Sequence, residues 1–185
     1  MKTKPRKASE RRSDPQTVSV LIDRSQYVPH LLNVLNNKVS SGASDLYIKR
    51  FGIGINDWRV LSVVAREPGC ISSFAAEKMG AHKAIVSRAL QFLVEHKFVR
   101  IEPHGKEKLA FLTVEGKRLY EAVVKVALQR EKLLLRGLSE EQKGMLRFLL
   151  AHLMDNVQGV NDFFADEERV SDTGQSNARH ANSMH

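Results

Sequence analysis

The run Ile71-Ser72-Ser73-Phe74-Ala75-Ala76-Glu77-Lys78-Met79-Gly80-Ala81-His82-Lys83-Ala84-Ile85-Val86-Ser87-Arg88-Ala89-Leu90 reads as two short helices about a tight turn. Ser72 and Ser73 open the first helix, Ser72 to Met79, with hydroxyls able to cap its free amides. Gly80 supplies the left-handed backbone that stops it. In the second helix Val86, Ala89, Leu90 and Leu93 fall at helical spacing on one face, and Lys83, Ala84, Ser87, Arg88 and Gln91 on the other. The outward face is short, polar and cationic near its amino end. Small side chains permit close approach and Lys and Arg reach bases or phosphates, as a helix entering a DNA major groove requires. Beyond it, Phe98 to Glu102 and Leu109 to Leu112 predict two strands flanking Pro103-His104-Gly105-Lys106-Glu107-Lys108. A basic hairpin beside a helix-turn-helix is a winged helix. The fold class is mainly α with a small β-hairpin wing.

The chain of 185 residues carries 29 basic and 21 acidic side chains, a net charge of +8. That balance favours a polyanionic partner, either nucleic acid or an anionic membrane surface. Met1 to Asp14 holds six basic and two acidic residues, so half of the net charge lies in an amino-terminal arm. The arm, residues 1–16, is almost devoid of apolar side chains and is expected to be disordered, either merely solvated or tracking DNA. A single cysteine, Cys70, excludes an intrachain disulfide, and before a helix with no basic neighbour it reads as buried filler. No apolar run approaches the ~20 residues of a membrane span, and Val18 to Ile22 is too short for a signal-peptide core. Cytoplasmic residence is the expectation by elimination.

Around the winged helix the pattern is one of long helices. The first runs from about Tyr27 to Arg50, beginning near Val28 so that Pro29 falls in its first turn. Its seam is Leu32, Leu35, Val39, Gly42 and Leu46, thinned by Ser40-Ser41-Gly42-Ala43-Ser44. Those small residues either let another backbone come close or leave room for a bound molecule. A helix from about Asn56 to Arg66, with Trp58, Leu61, Val64 and Ala65 inward, leads into the motif. Thr113 caps a helix to about Arg136 bearing Leu119, Val123, Val126, Leu133 and Leu134. Ser139-Glu140-Glu141-Gln142 matches a capping box, starting a last helix to about Phe164 striped by Met145, Leu149, Leu153 and either Val157 or Val160. The expected organisation is a winged helix-turn-helix over 51–113, a helical dimerisation region over 17–50 and 114–164, and a mobile tail over 165–185. The flanking helices carry more apolar surface than a small winged helix covers, so two chains should pair through them. A twofold pair would set its recognition helices on half-sites roughly 10 bp apart.

The order of elements and five local patterns resemble the MarR family of bacterial transcriptional regulators, over about Tyr27 to Phe164. These are Trp58-Arg59-Val60-Leu61; Ile71 to Ala76; Lys83 to Leu90 with its Val86-Ser87-Arg88 core; Val94-Glu95-His96-Lys97-Phe98-Val99-Arg100; and Leu112-Thr113-Val114-Glu115-Gly116. The resemblance implies a homodimer that binds a pseudo-palindromic operator on double-stranded DNA and represses a nearby gene until a small aromatic acid or phenol releases it. Two positions depart from the family pattern. His82 stands where Asp or Ser often caps the recognition helix; it is a poorer cap and a candidate to address a phosphate instead. The wing is short and has no arginine at its tip, offering His104, Lys106 and Lys108 where the family places a minor-groove arginine.

Lys83, Ala84 and Ser87 are the candidates for base-edge contact, with Arg88 as phosphate clamp and Arg100, Lys106 and Lys108 positioning the wing. The candidate ligand residues are Trp58, Arg59, Tyr27 and His30. Trp58 is either core or the wall of a pocket. Arg59, where the winged helix meets the long helices, either pairs with a carboxylate ligand or forms an internal salt bridge. Tyr27 and His30, at the start of the first long helix, would offer hydrogen bonds to a ring substituent. The seven histidines show no metal-ligand spacing, and no cofactor is implied. No phosphate-cradling glycine loop, nucleophile elbow or spaced acid/base pair suggests an enzyme. The competing readings are an architectural DNA-binding protein that senses nothing, and a protein-interaction winged helix, against which the Lys83/Arg88 face counts.

Overall fold

The computed structural model describes the backbone of residues 20–181 and the side chains of residues 20–163. The basic arm over 1–16 lies outside the described residues. In chain order the elements are α1 (Val28–Phe51), α2 (Ile55–Arg66), α3 (Ser72–Met79), α4 (Lys83–Glu95), β1 (Val99–His104), β2 (Glu107–Leu112), α5 (Val114–Leu134) and α6 (Glu140–Ala181). The chain divides into two compact units, the first ending at Val124 and the second beginning at Lys125.

The first unit holds α1 to β2 and the first half of α5. Its core is built by Val60, Leu61 and Val64 of α2, Ala75 and Ala76 of α3, Val86, Ala89 and Leu93 of α4, and Val99 and Ala110 of the ribbon, all buried. Burying side chains of this size contributes roughly 1.5–3 kcal/mol for each Val or Leu. That core fixes the phase of the recognition helix and so decides which residues face out. Pro29 sits in the first turn of α1, where its missing N–H costs no hydrogen bond. Ala43 and Tyr47 are the buried residues of α1. Aromatic rings then run from Phe51 to Tyr47 (6.3 Å between centroids), to Trp58 (6.1 Å, edge-on) and to Tyr120 (5.6 Å, stacked). The ladder ties α1, α2 and the start of α5 together.

β1 and β2 pair antiparallel with Val99 opposite Leu112 and His104 opposite Glu107. The ribbon is longer than its apolar pattern foretold: pairing carries through Pro103 and Lys108 and leaves only Gly105-Lys106 as the tip. Gly105 takes φ +61, which a glycine adopts without strain. Cys70 bridges Ala110, with Gly69 N–H donating to the Ala110 carbonyl at 2.8 Å and Ala110 N–H to the Cys70 carbonyl at 3.0 Å. The residues entering α3 thus extend the ribbon on its inner edge. Cys70 is half-buried rather than fully enclosed, and burial pushes its thiol pKa up.

The caps divide between those foreseen and those not. Thr113 caps α5, its Oγ1 accepting the Gly116 N–H at 3.0 Å. Ser139 and Gln142 form the expected box, Ser139 N–H to Gln142 Oε1 at 2.8 Å and Gln142 N–H to Ser139 Oγ at 3.2 Å. The serines of α3 do not cap it: the capping position is Ile71 and no side chain accepts from the first turn. Ser72 and Ser73 lie inside the helix, past the capping position.

The second unit holds the rest of α5, a turn at Gly137 (φ +92) and α6. The helix was expected to stop near Phe164 and instead continues to Ala181, through most of the segment expected to be a mobile tail. No described helix is long and apolar enough to cross a membrane.

Candidate nucleic-acid interface and effector cleft

The exposed face of α4 follows from its buried one. With Val86, Ala89 and Leu93 fixed in the core, Lys83, Ala84, Ser87, Arg88 and Gln91 are all exposed. Arg88 Nε donates to the Ala84 carbonyl one turn back at 3.3 Å, which lays the side chain along the helix surface. His82 occupies the capping position in extended conformation and makes no side-chain cap bond. Its carbonyl accepts the Ile85 N–H at 2.9 Å.

The wing residues divide into committed and open groups. Arg100 forms an ion pair with Glu102 on the same strand, and its guanidinium lies 4.7 Å from the centre of the Phe111 ring directly across the ribbon. Both contacts hold it at the base of the hairpin. His104, Lys106 and Lys108 are exposed at and beside the tip.

The four candidate ligand residues are not brought together within the chain. Trp58 stands in the ring ladder. Tyr27 and His30 line a shallow groove of about 350 Å3 with Ile22, Arg24, Pro29 and Asn33. Arg59 lines a different cleft of about 550 Å3, between α1, α2 and the α3–α4 turn. Its Nη2 donates to Ser40 Oγ at 2.9 Å and to Asn36 Oδ1 at 3.3 Å. Ser40 Oγ in turn donates to Asn36 Oδ1 at 3.2 Å. Among the described residues no carboxylate pairs with Arg59, so the internal salt bridge foreseen as one of its two roles is not formed. Asn36, Ser40 and Lys78 were missed as its neighbours. The signal for the first two was their four-residue spacing, which puts them on one side of α1.

Asp57, at the start of α2, accepts the Gly54 N–H at 2.8 Å and closes that helix end. Burial pushes its carboxyl above the ordinary value of 3.8, against the Gly54 hydrogen bond and the charge of His96, which both lower it.

A short recognition helix with an outward cationic face, set on a three-helix core and followed by a two-stranded wing, defines a winged helix-turn-helix protein. Among solved structures, a MarR/EmrR family transcriptional regulator from Acinetobacter sp. ADP1 is 31% identical, with 75% of this chain and 99% of that chain covered and a TM-score of 0.71. The chain therefore belongs to the MarR/EmrR family, whose members are transcriptional regulators and not enzymes. The MepR–DNA complex of S. aureus shares the fold at 19% identity, over 74% of this chain and 99% of that one, with a TM-score of 0.64. A MarR-family regulator from Listeria monocytogenes, solved with a 26mer DNA, does so at 19% identity over 70% and 87%, with a TM-score of 0.66. No protein-family model and no curated protein sequence matches the chain.

Proposed function

We propose that the protein is a cytoplasmic, homodimeric repressor that reads a pseudo-palindromic operator with α4 and leaves it when a small ligand binds. The observation that carries this reading is the division of α4, whose apolar residues are locked in the core while Lys83, Ala84, Ser87 and Arg88 stand exposed. Ala84 and Ser87 let the helix approach base edges, Lys83 reaches them, and Arg88 clamps a phosphate. His82 and the wing cations His104, Lys106 and Lys108 add backbone contacts, with Arg100 stiffening the ribbon beneath them. That two proteins of this fold were solved on DNA supports the assignment.

Pairing is supported by apolar surface that the single chain leaves uncovered. α1 exposes Val28, Leu31, Leu32 and Leu35; α6 exposes Leu146, Leu149, Leu150, Leu153, Val157 and Val160. On α6 these residues form one stripe, and an amphipathic helix keeps such a stripe only when a partner covers it. The occupant proposed is a second copy, through the helices over 17–50 and 114–164. Ligand release is supported by Arg59, a half-buried guanidinium whose acceptors among the described residues are neutral and can give way to a carboxylate, such as that of an aromatic acid. Trp58, Tyr27 and His30 stay proposed ligand contacts, at places in the chain apart from the Arg59 cleft.

The test is fluorescence anisotropy on the DNA upstream of the gene against scrambled duplex at physiological salt, with sedimentation of the same sample. A dimer preferring its operator by about 10³-fold is the expected result. The architectural reading, which the missing wing-tip arginine favours, predicts equal affinity for both duplexes. A monomer at micromolar concentration that binds no duplex at low salt would overturn both.

A further inference from the structure

We infer that Gln91 reads an adenine in each operator half-site, and that Glu95, one turn further along α4, is the positioning residue that makes it choose adenine over guanine. The inference rests on the DNA-binding reading above and deepens it by naming a base that the recognition helix selects.

Gln91 lies two residues from Ala89 and two from Leu93, both buried. Two residues turn an α-helix through about 200°, so Gln91 points almost directly away from the core. It is exposed, as are Ala84, Ser87 and Arg88. These four stand at i, i+3, i+4 and i+7, the spacing with which the recognition helix of a homeodomain addresses the major groove. Lys83 lies roughly 12 Å back along the helix axis, the length of about three base-pair steps. Gln91 therefore meets the bases at a different place in the half-site from Lys83.

The pairing of Gln91 with Glu95 decides which base it fits. An unrestrained glutamine amide can turn either end to the groove, and its N–H donors also serve guanine, whose edge shows the two acceptors O6 and N7. Here Gln91 Nε2 donates to Glu95 Oε1 at 2.9 Å. A carboxylate only accepts, so this bond fixes the orientation of the amide and occupies one of its two donors. One N–H and the carbonyl oxygen remain side by side. They complement the N7 acceptor and N6–H donor of adenine, whereas guanine would set its O6 against the amide oxygen. Glu95 has no evident purpose apart from this. It ends α4, where the helix dipole disfavours a negative charge, and no basic residue in the last turn offsets it. Among the described residues it joins no ion pair, and it brings negative charge to the face that meets a polyanion. A hydrogen bond at this spacing steadies an exposed helix only slightly.

The experiment uses the full-length protein. Sites are selected from duplexes with a randomised central stretch, and fluorescence anisotropy then gives the affinity for every single-base change in the selected site. Wild type is expected to prefer adenine by about tenfold or more at one position of each half-site, about three base pairs from the position that Lys83→Ala relaxes. Gln91→Ala should bring all four bases at that position within about twofold and leave the rest of the site unchanged. Glu95→Ala should still bind adenine there, with its advantage over guanine reduced below about threefold. Loss of the Glu95 charge strengthens binding to every duplex alike, so it leaves that ratio untouched, as would a purely structural role. Gln91→Arg should move the preference to guanine, a gain that misfolding cannot imitate. The inference is overturned if Gln91→Ala keeps every preference of wild type, if the preference it removes is not for adenine, if Glu95→Ala leaves the ratio unchanged, or if Gln91→Arg still prefers adenine. A selected site relaxed by Lys83→Ala but not by Gln91→Ala refutes this inference alone, whereas wild type that binds no duplex, or all duplexes equally, refutes the regulatory reading.

Discussion

The hydroxyl of Thr113 lies 2.6 Å from the Lys97 carbonyl oxygen, so the residue that starts α5 also fastens the turn that ends the recognition helix. Thr113 Oγ1 itself accepts the Gly116 N–H at 3.0 Å, and the Thr113 N–H donates to the Phe98 carbonyl at 3.1 Å. Lys97 needs the fastening. It is the one non-glycine among the described residues with positive φ, at +61°, a conformation that costs an L residue roughly 1–2 kcal/mol. One side chain thus couples α4, the ribbon and α5.

Thr113→Ala removes the cap and the tie together. The expected loss is about 2 kcal/mol, the upper part of the range for a cap alone. Thr113→Ser, which keeps the hydroxyl, should lose less than half as much. Denaturant unfolding of both variants checks this; equal losses would show that the methyl group, not the hydroxyl, matters.

Gly116 is required for space rather than for backbone freedom. A Cβ there would land on the Phe98 carbonyl, and this neighbour is backbone that cannot swing aside. Gly116→Ala should therefore destabilise by roughly 1–3 kcal/mol or more, although alanine is the better helix former. A thermal melt at or above that of wild type would contradict the close approach of α5 to the turn.

Arg88 and Lys83 should separate in DNA-binding assays. Arg88→Ala is expected to weaken all duplexes alike and reduce the salt slope by about 1, as for a lost phosphate contact. Lys83→Ala should instead relax sequence preference, by about 1–3 kcal/mol at the base pair it contacts. Equal losses by both mutants on every operator variant would refute the division of labour.

The half-buried carboxyl of Asp57 sets a pH dependence. Its pKa is raised in the folded chain, so the folded state holds this proton more tightly than the unfolded state does. The stability it confers is complete below the ordinary value of 3.8 and is lost as pH rises through the folded value. Asp57→Asn keeps an oxygen for the Gly54 N–H and cannot ionise. Its melting temperature should match that of wild type near pH 3 and move above it as pH rises from about 4, then level off. A variant less stable than wild type at pH 7 would show that the carboxylate charge is favourable there.

Much of this architecture was legible before any coordinates. The phase of Val86, Ala89 and Leu93 identified the outward face of α4 because helical spacing is local. The caps at Thr113 and Ser139 were readable for the same reason, each acting within three residues of its own helix. A local signal misled at Ser72 and Ser73, where the capping position falls one residue earlier, on Ile71. The length of the ribbon was misjudged because pairing from Pro103 to Lys108 needs no apolar alternation once the turn at Gly105 brings the strands together.

By itself, then, the order of residues determined the helices, the hairpin and the charge on the recognition face, since each depends on neighbours along the chain. Folding alone decided the partners of side chains distant in sequence. It gave Arg59 to Asn36 and Ser40 rather than to a carboxylate, drew Trp58 between Tyr47 and Tyr120, and bound Arg100 to Glu102 and Phe111. Such pairings depend on how whole elements pack, and periodicity along one helix carries no record of what crosses it.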